Sequence, residues 1–163
     1  MQETFTKMGM PKVIIKEASS RFKLEELLQR VQGINSGNTV VQIFNPNFVI
    51  SRAHLAGAYA DSVLAFESNA NISKGIATEM LLFAAMTRQI NDAIRIMGAR
   101  SAKHFILFAS DKKAYMRMKD LLDKAKDYKE NASRSHTIAK SFGLKAEKEL
   151  DVLIMQKMAV SRL

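Results

Sequence analysis

A group of polar and cationic residues near the middle of the chain offers the side chains best suited to binding chemistry. Arg88, Asp92 and Arg95 follow at spacings of four and three, which places them on one face of a helix beside Gln89. Arginine binds phosphates through paired donors, and glutamine can hydrogen-bond to base edges. Lys74 stands near the start of the same segment, where a cation opposes the helix dipole. The pattern favours phosphate binding; the alternative is a solvated face with an ordinary Arg88–Asp92 ion pair.

Glu79 is the one carboxylate next to a continuous apolar run, residues 80–86. Burial there would raise its pKa, as a general acid requires. An alternative function is therefore a small-molecule-binding or hydrolytic α/β enzyme that uses Glu79. No second titratable group lies at a useful spacing, so a structural carboxylate, hydrogen-bonded to backbone amides, is the other interpretation.

The remaining search for chemistry finds no catalytic set. His54, His104 and His136 are far apart and lack a carboxylate at ligand spacing, and the chain has no cysteine. The glycines do not form a phosphate-binding loop. The sequence therefore predicts no catalytic residue, no metal and no cofactor.

The polar cluster must be positioned by the segment 73–98. Apolar residues recur at spacings of three and four from Ile76 to Met97, which predicts one continuous helix. We expect Ser73 or Asn71 to cap its start, and Gly98 to end it in the left-handed conformation. The apolar run predicts that the middle of this helix is buried on all sides.

The rest of the chain alternates short β-branched segments with amphipathic ones. We predict strands at 12–18, 39–44 and 103–109, and helices at 22–32, 52–66, 112–128, 135–142 and 146–162. Ser51 and Asp111 are expected to cap two of these helices. The fold class is α/β: a flexible lead-in at 1–10, then a single domain at 11–163 with a small mixed β-sheet covered by several α-helices.

The charge of the chain suggests a polyanionic partner. The formal net charge is +9, and residues 100–163 supply +7 of it. Such an excess favours RNA binding through counterion release, although a lysine-rich soluble surface is the alternative. The longest apolar run is too short to span a membrane, and we expect a cytoplasmic protein.

Several motifs, taken together, resemble the PRPK-binding-protein family in its archaeal form. They are Asn45-Pro46, residues 50–58, Thr78 to Leu82, the run Thr-Arg-Gln-Ile-Asn-Asp-Ala-Ile at 87–94 with Gly98, and residues 150–160. Members of that family are small subunits of the KEOPS complex that bind its kinase-like subunit. The resemblance implies a non-catalytic accessory subunit in the synthesis of threonylcarbamoyladenosine on tRNA. It further implies contact with the N-terminal lobe of the kinase-like chain, indirect association with the other KEOPS subunits, and capture of the single-stranded CCA end of tRNA.

These expectations assign candidate residues to each partner. Two apolar stripes at helical spacing are the candidates for the kinase-like subunit: Leu55, Tyr59, Val63, Leu153, Ile154 and Met158. The candidates for tRNA are cations and one amide, the last three chosen by charge and proximity alone: Lys74, Arg88, Gln89, Arg95, Arg52, Arg100 and Lys103. No membrane and no small-molecule substrate is expected. A free-standing RNA-binding protein without a kinase partner is a further alternative.

Overall fold

The computed structural model describes residues 12–145 and 149–163. The predicted lead-in at 1–10 lies outside these residues. The strands are β1 (Ile14–Ser19), β2 (Val41–Phe44), β3 (Phe105–Ala109) and β4 (Lys124–Asp127). The helices are α1 (Leu24–Ile34), α2 (Arg52–Glu67), α3 (Ile76–Ala85), α4 (Ile90–Met97), α5 (Lys112–Met118), α6 (Ala132–Ser141) and α7 (Leu150–Val160). Short 3-10 turns lie at Pro46–Phe48 and Lys119–Leu121.

The four strands form one sheet in the order β2-β3-β1-β4. Each neighbouring pair is antiparallel, with Ile15 opposite Phe108, Ile43 opposite Leu107 and Ala18 opposite Ala125. The prediction of an α/β domain with a small helix-covered sheet is confirmed. The described sheet is antiparallel throughout, however, and not mixed, because each strand pair runs in opposite directions.

Side chains alternate between the two faces of the sheet and build a core on each. On β3, Ile106 and Phe108 join the larger core, which α2, α3, α4, α6 and α7 help to form. Phe105 and Leu107 point the other way, into a smaller core with α1 and α5. Because both faces are covered, every residue of β3 is buried, as its unbroken apolar sequence predicts.

The predicted helix at 112–128 is wrong in its second half. Helix α5 ends at Met118, and residues 124–127 form β4, which pairs with β1 at the edge of the sheet. All four residues of β4 are exposed, so no buried face marks them as a strand in the sequence. Backbone pairing to β1 determines this strand, and its charged side chains are typical of an edge.

The predicted continuous helix at 73–98 is also wrong. It is divided into α3 and α4, and Met86 between them adopts the left-handed conformation at φ 56°. Gly75 occupies the N-cap position of α3 instead of Ser73 or Asn71. Gly98 has an extended backbone at φ −64°, and a Cβ there would lie 2.5 Å from the carbonyl oxygen of Ile94. Glycine is required at this position for close approach of the backbone, and not for a left-handed turn.

The predicted N-caps at Ser51 and Asp111 are confirmed. The Ser51 hydroxyl accepts from the backbone N–H of His54 at 3.2 Å, and the Asp111 carboxylate accepts from Ala114 at 2.7 Å. Gly143 has a positive φ of 75° directly after α6. Of the last predicted helix, α7 covers 150–160, and residues 146–148 lie outside the described part. None of the helices among the described residues combines the length and apolarity needed to cross a membrane.

Candidate functional site

The break between α3 and α4 positions the predicted polar cluster. The backbone N–H of Thr87 donates to the Leu82 carbonyl at 3.2 Å and closes α3 after Met86. The Thr87 hydroxyl then accepts from the N–H of Gln89 at 3.2 Å, just before α4 begins. Arg88 and Gln89 are therefore exposed in the turn itself, and they do not share a helix face with Arg95.

The acidic residue of the cluster has a different partner from the one considered in the sequence. Asp92 accepts from Arg95 at 3.3 Å within α4. Arg88 instead donates from Nη1 to the backbone carbonyl of Arg162 at 2.8 Å. Arg88 thus connects the turn to the segment that follows α7.

Glu79 lies at the centre of a buried polar cluster. Its carboxylate is fully buried and accepts from the backbone N–H groups of Ile72 and Ser73, from the Ser73 hydroxyl at 2.6 Å, and from Nη2 of Arg162 at 2.5 Å. Burial alone would raise the pKa of Glu79, but the hydrogen bonds from Ser73, Ile72 and Arg162 outweigh it and lower that pKa. A general acid needs the opposite shift, and the carboxylate is enclosed by groups of its own chain, so the geometry favours the structural interpretation of Glu79.

Arg162, in the segment after α7, contacts both Glu79 and Phe83 of α3. Its guanidinium carbon lies 3.9 Å from the centroid of the Phe83 ring, a cation–π arrangement. Nε and Nη1 of Arg162 are buried and have no hydrogen-bond partner within residues 12–145 and 149–163. The guanidinium therefore has two buried donors that the described part of the chain does not satisfy.

A cavity of about 390 Å³ adjoins Arg162, and we call it the Arg162 cavity. Burial raises the pKa of Asp61 in its wall, while the charge of Arg162 acts in the opposite sense. Leu64 at the same wall is 60% exposed. A guanidinium and a carboxyl group can together hold a flat polar ring by stacking and hydrogen bonding. The cavity is lined by Asp61, Leu64, Ala65, Ser68, Ala70, Ile72, Phe83, Arg88, Ala159 and Arg162.

A second, wider depression of about 840 Å³ lies at one end of the sheet, and we call it the basic groove. Three loops form it: the one after β1, the one before β3 and the one before β4. Asp123 is the one carboxylate in its lining. Five cations are also in the lining: Arg21, Lys23, Arg100, Lys103 and Lys124.

The seven residues predicted to contact tRNA are spread over several places. Arg88 lines the Arg162 cavity, whereas Arg100 and Lys103 line the basic groove. The exposed Gln89 and Arg95 lie in the turn and on α4, and line neither. Lys74 is exposed in the loop before α3. Arg52 begins α2, where its backbone N–H donates to the Glu130 carboxylate at 2.7 Å.

Sequence reasoning missed the residues that complete the two cavities. Asp61, Phe83 and Arg162 belong to α2, α3 and the segment after α7, so no spacing in the sequence relates them. Arg21 and Lys23 flank Phe22 in a loop without periodicity. The local charge of that loop is the one signal that could have indicated them.

The six residues predicted to contact the kinase-like subunit fall into two classes. Leu55, Ile154 and Met158 are fully buried in the larger core and do not reach the surface of this structure. The other three are half-buried: Tyr59, Val63 and Leu153. Of these, Tyr59 and Leu153 pack against the same core from its edge.

The histidines are held by separate structural contacts. His54 is fully buried, its Nδ1 accepts from the N–H of Ile50 at 3.1 Å, and its Nε2 lies 2.8 Å from the Ala84 carbonyl. Burial lowers the pKa of His54 to about 4. His104 pairs with Glu17 at 2.7 Å. Within the described residues, no three acidic or histidine side chains are grouped so that they could hold a metal.

Comparison with known families identifies the chain. The family model described as "Kinase binding protein CGI-121" matches residues 16–162, which is most of the sequence. A comparison with individually curated proteins finds no match. The chain belongs to the CGI-121 family of kinase-binding proteins.

Proposed function

We propose that this CGI-121 kinase-binding protein is a non-catalytic accessory subunit of the KEOPS tRNA-modification complex. It binds the N-terminal lobe of the kinase-like subunit, associates with the other KEOPS subunits through it, and recruits tRNA through the single-stranded 3′ CCA end. The family match supports the kinase contact. The Arg162 cavity, with its unsatisfied buried donors, is the observation that carries the RNA contact.

The kinase contact is assigned to the half-buried edge of α2 and α7. Tyr59 and Val63 lie on α2, and Leu153 lies on α7, which packs against α2. Apolar side chains that are already partly ordered lose little further freedom when a partner covers them. Leu55, Ile154 and Met158 support this edge from the core beneath and are not part of the proposed contact.

Polar truncation of this edge tests the kinase contact. Val63→Ser combined with Leu153→Ser should weaken co-purification with the kinase-like subunit by at least about tenfold, since truncated interface residues at the centre of a contact commonly cost more than 1 kcal/mol each. Leu28→Ser is the matched control, because Leu28 is 39% exposed on α1, at the opposite face of the sheet. Full association of the folded double variant would contradict the assignment.

The RNA contact is assigned to the Arg162 cavity and the cations next to it. Proteins recognise single-stranded RNA ends by stacking an unpaired base and bonding its edges. Here Arg162, whose guanidinium lies on the ring of the buried Phe83, supplies a flat surface and donors, and Asp61 supplies a polar carboxyl group. Arg88 and Arg95 are exposed at the turn and on α4, where they can contact phosphates.

Charge reversal tests the RNA contact. The Arg88→Glu, Arg95→Glu variant should lose binding to tRNA with an intact CCA end, measured by fluorescence anisotropy, with a smaller dependence on salt. Lys112→Glu with Lys113→Glu makes the same change of charge at exposed sites after β3 and should bind normally. Unchanged binding by the Arg88→Glu, Arg95→Glu variant would contradict the assignment.

A further inference from the structure

The basic groove is a surface that the strand order builds. Because β1 is antiparallel to both of its neighbours, its last residues lie beside the first residues of β3 and β4, with Ala18 opposite Phe105 and Ser19 opposite Lys124. Hydrogen bonds then fix the loops to one another. The N–H of Ser20 donates to the Ala102 carbonyl at 2.7 Å, and the N–H of Asp123 donates to the Ser19 carbonyl at 2.7 Å.

The cations of this groove are grouped on one concave surface and have no acidic partner among the described residues. All five are exposed, and none forms an ion pair with any carboxylate in the described ranges. Elsewhere Lys16 pairs with Asp127 at 2.6 Å, and Arg30 pairs with Glu26 at 2.9 Å. A concave surface with five unpaired cations and one carboxylate attracts a polyanion.

One cation of the groove is fixed in place, and helix α1 begins in the groove wall. Arg100 is held in place, since its Nη2 donates to the backbone carbonyl of Arg95 at 2.9 Å. Helix α1 starts in the groove wall at Leu24, and its N-cap residue Lys23 makes no side-chain capping bond. The positive end of the α1 dipole therefore lies at the groove, where Glu25 and Glu26 in the first turn of α1 offset its charge.

Helix α4 connects the basic groove to the Arg162 cavity. It begins two residues after Arg88, which lines the cavity, and ends shortly before Arg100, which lines the groove. Its eight residues span about 12 Å. Arg95 is exposed between the two ends. A strand of RNA that leaves the cavity along α4 would thus reach the groove within a few nucleotides.

We propose that the basic groove binds the sugar-phosphate backbone of the double-helical stem that adjoins the single-stranded 3′ end of the bound RNA. This inference rests on the proposed function, because it places the RNA end in the Arg162 cavity. The one aromatic residue in the groove lining, Phe22, is half-buried, and the guanidinium carbon of Arg30 lies 4.5 Å from the centroid of its ring. The groove therefore offers mainly cations, which suits recognition of a helical backbone by charge and shape, independent of sequence.

The test compares three RNA ligands with two variants of the full chain. The groove variant is Arg21→Gln, Lys23→Gln, Lys124→Gln, and its control is Lys112→Gln, Lys113→Gln, Lys129→Gln, which removes three exposed cations near the opposite end of the sheet. The ligands are intact tRNA, tRNA without its CCA end, and a single-stranded oligonucleotide ending in CCA. Binding is measured by fluorescence anisotropy over a range of salt concentrations.

We expect the groove variant to bind both tRNAs at least about tenfold more weakly than the unmodified chain does. Its affinity for the oligonucleotide should equal that of the unmodified chain. The slope of log affinity against log salt for intact tRNA should fall by about 3, one for each lost phosphate contact. The control variant should keep the tRNA affinities.

The failures of the two proposals are distinguishable. Normal binding of all three RNAs by the groove variant overturns the groove proposal and leaves the Arg162 cavity assignment standing. Loss of the kinase-like subunit by that variant, with RNA binding intact, also overturns it, since the groove would then dock a protein. If the unmodified chain binds tRNA without CCA but not the oligonucleotide, the cavity assignment fails while the groove proposal stands.

Discussion

The buried cluster around Glu79 and the basic groove use charged side chains in opposite ways. Glu79 receives hydrogen bonds from backbone, hydroxyl and guanidinium groups of the same chain, and the fold encloses it completely. The groove cations are exposed and have no carboxylate partner in the described part of the chain. The contrast indicates that the charge of Glu79 serves the fold, and it agrees with the proposal that the grouped groove cations serve a partner.

Removal of Glu79 should give the largest effect on stability. Glu79→Ala leaves Arg162 and two backbone N–H groups buried without their acceptor, so the free energy of unfolding should fall by about 3–5 kcal/mol. Urea denaturation followed by circular dichroism measures it. Glu25→Ala is the matched control on an exposed carboxylate of α1, with an expected change below about 0.5 kcal/mol. Similar small losses in both variants would remove the distinction between the two regions.

The second-largest expected effect is a loss of stability at acidic pH that is caused by His54. Burial lowers its pKa from 6.5 to about 4, so the unfolded chain binds more protons between these values. The free energy of unfolding should therefore have its full value above pH 6.5 and fall by about 3 kcal/mol as the pH approaches 4. Glu79, whose pKa is also lowered, adds to the loss only near and below its unfolded pKa of 4.5.

The contribution of His54 is measured by unfolding at several pH values. We expect the His54→Gln variant to be less stable at neutral pH, because buried hydrogen bonds are lost, but its stability should change little between pH 6.5 and 4.5. An unmodified chain with constant stability over that range would show that His54 is not held neutral by burial.

The smallest effect on stability is expected in the basic groove. Arg21→Gln, Lys23→Gln and Lys124→Gln should each change the free energy of unfolding by less than about 0.5 kcal/mol, since surface substitutions away from packed features rarely do more. Thermal unfolding checks this directly. A loss above about 1 kcal/mol at any of the three would assign that cation to the fold and weaken the contrast with Glu79.

The sequence predicts the parts of the fold that depend on short-range signals. The apolar run of β3 and the caps at Ser51 and Asp111 require only neighbouring residues, and they are confirmed. The break after α3 could not be predicted, because apolar periodicity continues through it. Met86 adopts a left-handed conformation that non-glycine residues rarely adopt, and only the tertiary structure determines it.

The candidate site was predictable only in part for the same reason. Arg88, Arg100 and Lys103 could be chosen from charge, and each lines a cavity or groove. Arg162 could not be connected to Glu79, which lies 83 residues earlier in the chain. Leu55 was predicted to contact a partner, but it is fully buried. Its apolar spacing indicates a buried stripe and a docking stripe equally well, so the sequence could not decide between them.

The most direct test of the account is size-exclusion chromatography of the purified chain with the kinase-like subunit and intact tRNA from the same organism. We expect a single peak that contains all three components, because the apolar edge of α2 and α7 and the Arg162 cavity are separate surfaces. Migration of the chain by itself, in the presence of both partners, would contradict the claim that it functions by binding them.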